Sequence, residues 1–484
     1  MPVSNSAQSR IGGGPVKRRR LLASGVVVGL ILVGVLLAIE STRAIGIVVS
    51  VIPLLLLALF ANPVLFVLLY VGMRPLVDSV VFLRAGGYTF GVVWGALLMV
   101  VLAIYWFTRG IRRPIHGASW LVPTGFVLAY ALFTLTRGGD ALAVLSNCIK
   151  LASWVLVALT CEQIASTAKG QRLIVRAGTL MAVLTVAVIV FAVVKNQYGA
   201  AYYAGDNSYD TAAQGPHGLA SLAVLTSVFV WMGAMRDRRR GVYVALAGLL
   251  GVAVALSFVR TTFLAFALIT VWFLLWSLRS RRPSAVIAAF AATLAVFAAV
   301  YAFQDAMLGR LSDLSSLASG GGVEFSTGSG RIGLWQAVWQ SATASPEALL
   351  LGQGAGASGR AAAAVTGTVF WAHNDFLEFL ITGGIGLLVL HILTLGWLLT
   401  SGVRLSRDQH QSKAVREVGR LISVAGLAYL VMAFFNGMAF YLSASLAMAM
   451  IVGLARGMQE TPGATFLDAP AIEGHALPNG HEES

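Results

Sequence analysis

The sequence consists largely of continuous apolar runs of about twenty residues broken by short clusters of Arg and Lys, a pattern that suits lipid rather than water as the main solvent. A bilayer core about 30 Å thick takes roughly 20 apolar residues per helix, and backbone groups inside it must be satisfied within helices or a closed barrel. Continuous runs, rather than alternating stretches of about ten residues, select helices. The expected fold is all-α, a polytopic membrane helical bundle of about 12–14 transmembrane helices with a large exterior loop between late spans. The expected spans lie near 21–39, 45–60, 63–82, 90–108, 118–136, 141–161, 173–194, 217–235, 242–258, 261–278, 284–303, 376–400, 421–437 and 439–456. A charged fraction of only 11% and a mean hydropathy of +0.82 agree with this reading.

A net charge of +14 would ordinarily invite a nucleic-acid partner. Here the basic residues sit at 17–20, 109–113, 169–176, 236–240, 279–282 and 404–420, between apolar runs. Threading the chain from a cytoplasmic N-terminus places all of these clusters, and most of the 34 Lys and Arg, on one side, as the positive-inside rule requires. No nucleic-acid partner is therefore expected. The chain reads as a multi-pass protein of the cell inner (cytoplasmic) membrane with both termini cytoplasmic. Its parts are a cytoplasmic tail at 1–20, a helical body at 21–303, an exterior loop at 304–375, C-terminal spans at 376–456 and a disordered cytoplasmic tail at 457–484. The first run, following Lys17 to Arg20, reads as a retained signal anchor. Cys148 and Cys161 fall in a single expected span on different faces, which suggests neither a disulfide nor a metal site.

The exterior loop is the expected working domain. Glycines at 320–322 and 328–330 read as flexible joints, and after them Ile332, Trp335, Val338, Trp339 and Ala342 recur at three- and four-residue spacing. That spacing predicts a short amphipathic helix whose tryptophans suit the membrane interface. Arg331 opens it, so its side chain and the free N–H groups of the first turn are suited to phosphate; the alternative is a surface Arg at a helix start. Arg260 stands at the exterior junction of two spans, where a guanidinium must meet water, an anion or a lipid headgroup. Either an anion site or a snorkelling interfacial Arg fits its position.

The segment FWAHNDFLEFL carries His373, Asn374, Asp375 and Glu378 to the exterior mouth of a span. Asn374 and Asp375 are good helix caps, and Glu378 falls in the first turn. His373 is not needed for a cap and could accept a proton from an incoming hydroxyl, with Asp375 or Glu378 orienting it or sharing that role. No Cys or His pair occurs at ligand spacing, and Asp305, Asp313 and Glu324 are scattered, so neither a metal nor a cofactor is expected. Asp206 and Asp210, among Tyr202, Tyr203 and Tyr209, could line a sugar site. The glycines of GQGAGASG lack the preceding strand and following Lys of a phosphate loop and read as tight turns.

In order, Arg260, then Gly330, Arg331 and Trp335, then Gly352 and Gly354, then His373, Asn374 and Leu377, then Gly383 and Gly386 form a series that resembles the O-antigen ligase and polymerase superfamily. The likeness covers roughly residues 255 to 395. Where the family often has a glutamate ahead of the Gly-rich turn, this chain has Ile381 and Thr382. The resemblance implies a metal-independent glycosyltransferase that moves a saccharide from a polyprenyl diphosphate to a lipid, glycan or protein hydroxyl outside the membrane. It implies that Arg260 and Arg331 hold the diphosphate, that His373 is the base and that the anomeric centre inverts. A ligase and a polymerase extending lipid-linked repeat units differ only in acceptor. A transporter or flippase would be expected to show internal symmetry and polar spans at the midplane, whereas Lys150 and a few Ser or Thr are the main polar interruptions.

Overall fold

The computed structural model describes residues 61–79, 84–85, 88–109, 117–137, 141–194, 215–236, 240–257, 259–279, 331–366 and 371–460. The expected spans at 21–39, 45–60 and 284–303, the loop tyrosines and aspartates of 202–210, residues 304–330 with Gly330, and most of the tail lie outside the described residues. The chain separates into two units, residues 1–67 and 68–484. The described part of the first is the opening of helix α1, and the core and candidate site belong to the second.

The described helices are α1 (Pro63–Gly72), α2 (Arg74–Ser79), α3 (Phe90–Arg109), α4 (Leu121–Thr136), α5 (Ala141–Ala165), α6 (Ala168–Val194), α7 (Gly215–Arg236), α8 (Arg240–Leu256) and α9 (Arg260–Arg279). Three short helices follow, α10 (Arg331–Ala342), α11 (Pro346–Leu351) and α12 (Ala357–Thr366), and then α13 (Asp375–Arg407), α14 (Lys413–Asn436) and α15 (Leu442–Gln459). Eight of the described helices are long and apolar enough to cross a membrane, and the stretches Pro63–Gly72, Trp94–Phe107 and Arg240–Leu256 are shorter apolar helices. The protein is an all-α polytopic membrane bundle. Its one departure among the described residues is a two-stranded antiparallel ribbon pairing β1 (Arg84–Ala85) with β2 (Tyr88–Thr89).

Several helix limits differ from the hydropathy pattern, for identifiable reasons. The span expected at 63–82 is divided at Met73, because Pro75 has no N–H with which to continue the helix. The span expected at 439–456 starts later and ends later, at Leu442 and Gln459, because residues 437–441 are held as a turn. Helix α5 runs past residue 161 to include Glu162, a charge that a hydropathy window rejects but that is paired inside the protein.

That pairing organises one end of the bundle. Arg456 Nε donates to Glu162 Oε2 at 2.9 Å with both side chains almost fully buried, and Trp120 Nε1 donates to the same oxygen at 2.8 Å. Arg456 Nη2 reaches Ser119 Oγ at 2.5 Å, and the guanidinium lies over the rings of Trp120 and Trp397. Charges taken out of water in this way need such a set of partners. Helix α15 is buried nearly throughout. Gly453 and Gly457, one turn apart, let it lie directly on α5: a Cβ at either would run into the carbonyl of Ala158 or of Glu162. Small residues at that spacing are the usual means of close helix approach in a bilayer.

Candidate functional site

At the other end of the bundle the start of α7, the start of α13 and the turn between α14 and α15 meet. The rings of His217 and His373 are 5.8 Å apart, and a Cβ on Gly437 would lie 3.3 Å from the backbone of His373 and Asn374. Asn374 caps α13 by accepting from the N–H groups of Phe376 and Leu377 at 2.9 and 3.1 Å. Asp375, 1% exposed, accepts from Met438 N–H at 2.9 Å and from Ala439 N–H at 3.1 and 3.2 Å. Both of its oxygens are thereby committed to the α14–α15 turn. Glu378, also buried, has Ser358, Ala372 and Thr382 as neighbours.

His373 has φ of 49°, the left-handed region, where it is the one residue other than glycine among those described. Such a backbone costs an ordinary residue on the order of 1–2 kcal/mol and persists only where the surroundings impose it. Here they do so from three sides. The cap at Asn374 fixes the residue after it, Gly437 closes against its backbone, and Trp335 Nε1 donates at 2.8 Å to the carbonyl of Ala372, the residue before it. The Trp335 ring also packs near Phe434 and Phe435 of α14. The sequence suggested that both tryptophans suit the membrane interface; Trp335 ties α10 to the chain ahead of His373, and Trp339 is 53% exposed.

The short helices are docked on α13 by an apolar core that includes Leu334, Val338, Ala357, Ala372, Leu380 and Ile381. The contact is completed by an interlock. Helix α13 is broken at Gly383 (φ −134°) and Gly384 (φ 69°), which leaves carbonyls ahead of the break without helical donors. The N–H of Gln353 donates to Ile381 O at 2.7 Å and that of Gly354 to Thr382 O at 3.0 Å. Gly352 and Gly384 fit where no Cβ would: the first lies against Thr382 O and Gly383 N, the second against Leu350 O and Leu351 N. Gln353 Nε2 donates to Ser341 O at 2.5 Å, and Arg360 donates to the carbonyls of Gln353 and Ala355, bracing the turn. Arg137 at the end of α4 pairs with Glu347 of α11 at 2.6 Å.

Arg260 opens α9 and is exposed. The α8–α9 joint is held by Ser257, whose hydroxyl donates to Val254 O at 2.6 Å and accepts from Val259 N–H at 3.1 Å. The far end of α9 lines a groove with the first turns of α14. Its 20 residues, about 28 Å of helix, therefore bring Arg260 to the same end of the bundle as the α14–α15 turn and His373. Arg331 is the first residue of α10, as its spacing predicts. His217 was not singled out by the sequence reading; its position in PHG at the start of an apolar run was the available signal. Among the described residues, no three His, Cys, Asp or Glu side chains gather in a way that could hold a metal ion.

Residues 244–392 match the family model described as O-antigen ligase. The matched stretch runs from α8 to the middle of α13 and so takes in Arg260, the interlock and His373. No curated protein matches the chain.

Proposed function

We propose that the protein, whose residues 244–392 match the family model described as O-antigen ligase, transfers a saccharide from a polyprenyl diphosphate donor to an acceptor hydroxyl at the outer face of the cytoplasmic membrane. The acceptor oxygen attacks the anomeric carbon from the face opposite the diphosphate. The bond from that carbon to the phosphate oxygen breaks, its electron pair leaves with the polyprenyl diphosphate, and the hydroxyl proton passes to His373. The anomeric configuration inverts.

The observation that carries this reading is the left-handed backbone of His373, maintained by Asn374, Gly437 and Trp335. Strain held at a titratable residue at the mouth of a bundle is the kind of outlier that accompanies a functional site. Arg260 and Arg331 are assigned to the diphosphate, where a guanidinium fork stabilises the charge that develops on the leaving group. Asp375 is assigned to orientation, since its oxygens are engaged by Met438 and Ala439. The ring of His217 lies beside that of His373, 5.8 Å between centroids. No step requires a metal ion. The acceptor is a finished lipid, glycan or protein in a ligase, and the end of a lipid-linked repeat unit in the polymerase reading.

The test is His373→Gly. Glycine occupies the left-handed region freely, so thermal stability should change by no more than about 1 kcal/mol. Donor binding should persist, while turnover falls about a hundredfold to ten-thousandfold. A His373→Gly enzyme with normal turnover on a polyprenyl diphosphate glycan donor would remove the base from this mechanism.

A further inference from the structure

At the end of the bundle opposite His373, α9 and α14 face one another across a groove that the transfer reaction does not use. Trp272, Trp276 and Arg279 recur at four- and three-residue spacing on α9, and Lys413, Glu417 and Arg420 recur at the same spacing on α14. Residues so spaced share one helix face, so the groove is walled by two matching stripes. Three cations stand against one carboxylate, and that carboxylate is taken up by Arg420, whose Nη1 lies 2.6 Å from Glu417 Oε1. Among the described residues, Arg279 and Lys413 have no carboxylate partner, and both are exposed. Leu275, on the groove wall between Trp272 and Trp276 along α9, is 49% exposed.

We infer that this groove binds the headgroup of an anionic glycerophospholipid. The charge balance selects the phosphate: Arg279 and Lys413, without a carboxylate partner among the described residues, neutralise it, and Arg420, about 10 Å further along α14 from Lys413, is placed for a second anionic oxygen or phosphate. The indoles supply the amphipathic surface that sits at headgroup level, and Leu275 gives the acyl chains an apolar wall. Basic pockets between helices near a bilayer surface hold anionic lipids for these reasons. A zwitterionic headgroup would bring its ammonium group against the same cations and be disfavoured. The occupied groove would bridge α9, which begins with Arg260, and α14, which ends at the turn held by Asp375.

Native mass spectrometry of the full chain in detergent, titrated with cardiolipin, phosphatidylglycerol or phosphatidylcholine, tests the assignment. The anionic lipids should be retained roughly tenfold better than phosphatidylcholine. Arg279→Gln combined with Lys413→Gln, both exposed positions, should abolish the difference without lowering the melting temperature. Arg404→Gln combined with Arg407→Gln, at the same end but outside the groove, should leave it unchanged. Glu417→Gln should strengthen retention by releasing Arg420. Preference for cardiolipin over phosphatidylglycerol would assign two phosphates to the groove, and equal retention of the two would assign one. Equal retention of phosphatidylcholine, indifference to the groove substitutions, an equal effect of the Arg404 and Arg407 control, or weaker retention in Glu417→Gln would each overturn the inference.

Discussion

The N–H of Gln353 donates to the carbonyl of Ile381 at 2.7 Å, inserting the turn between two short helices into a break in the helix that follows His373. The carbonyl would otherwise be a buried acceptor without a donor, so this bond and its neighbour from Gly354 to Thr382 make the break tolerable. They also fix the short helices relative to the first two turns of α13, on which Asp375 and Glu378 stand.

The interlock predicts unequal responses among glycines. Gly352→Ala and Gly384→Ala combine a left-handed backbone with a collision against main chain, and each should cost more than about 2 kcal/mol in unfolding measurements in detergent. Gly386→Ala meets only Phe133 Cζ, at 4.0 Å, and should be neutral or stabilising by about 0.5–1 kcal/mol. Equal losses at all three positions would show that the break is not the point of contact.

Asp375→Asn separates orientation from catalysis. The amide keeps one acceptor but turns an NH2 toward the N–H groups of Met438 and Ala439, so stability should fall by about 1–3 kcal/mol. Turnover should fall with it as the α14–α15 turn loosens against His373. Full stability with lost turnover would instead identify Asp375 as a participating acid or base.

The two arginines are expected to act on the donor. Arg331→Lys and Arg260→Lys keep charge but lose the bidentate fork, so donor affinity and turnover should both decline, by roughly tenfold or more. The measurement is donor binding by calorimetry alongside initial rates. Unaltered affinity and rate in both variants would place the diphosphate elsewhere.

Orientation in the membrane is accessible to labelling. In a chain carrying Cys148→Ser and Cys161→Ser, Thr343→Cys should react with an impermeant thiol reagent on whole cells, whereas His410→Cys should react only after permeabilisation; both positions are exposed. Equal labelling of the two would overturn the expected topology, and with it the outer-face location of His373.

Much of the architecture follows from the chain alone, because lipid imposes a single backbone solution on a run of twenty apolar residues. Each expected span on described residues is helical over most of its length. Arg331 opens its amphipathic helix and Asn374 caps α13, since both depend on neighbours within a turn. Tertiary structure alone decided the rest. Gly352 and Gly383 look like separate turn signals in the sequence, yet they meet at one break, and Gly384 rather than Gly386 is its second hinge. Glu162 and Arg456 look like charges at span ends but neutralise one another inside the bundle across 294 residues. His217 joins His373, and Asp375 holds a turn 63 residues downstream. The physical reason is the same in each case. Hydropathy and helix capping are local and can be read from spacing, whereas the partner of a buried polar group is set by which helices pack together.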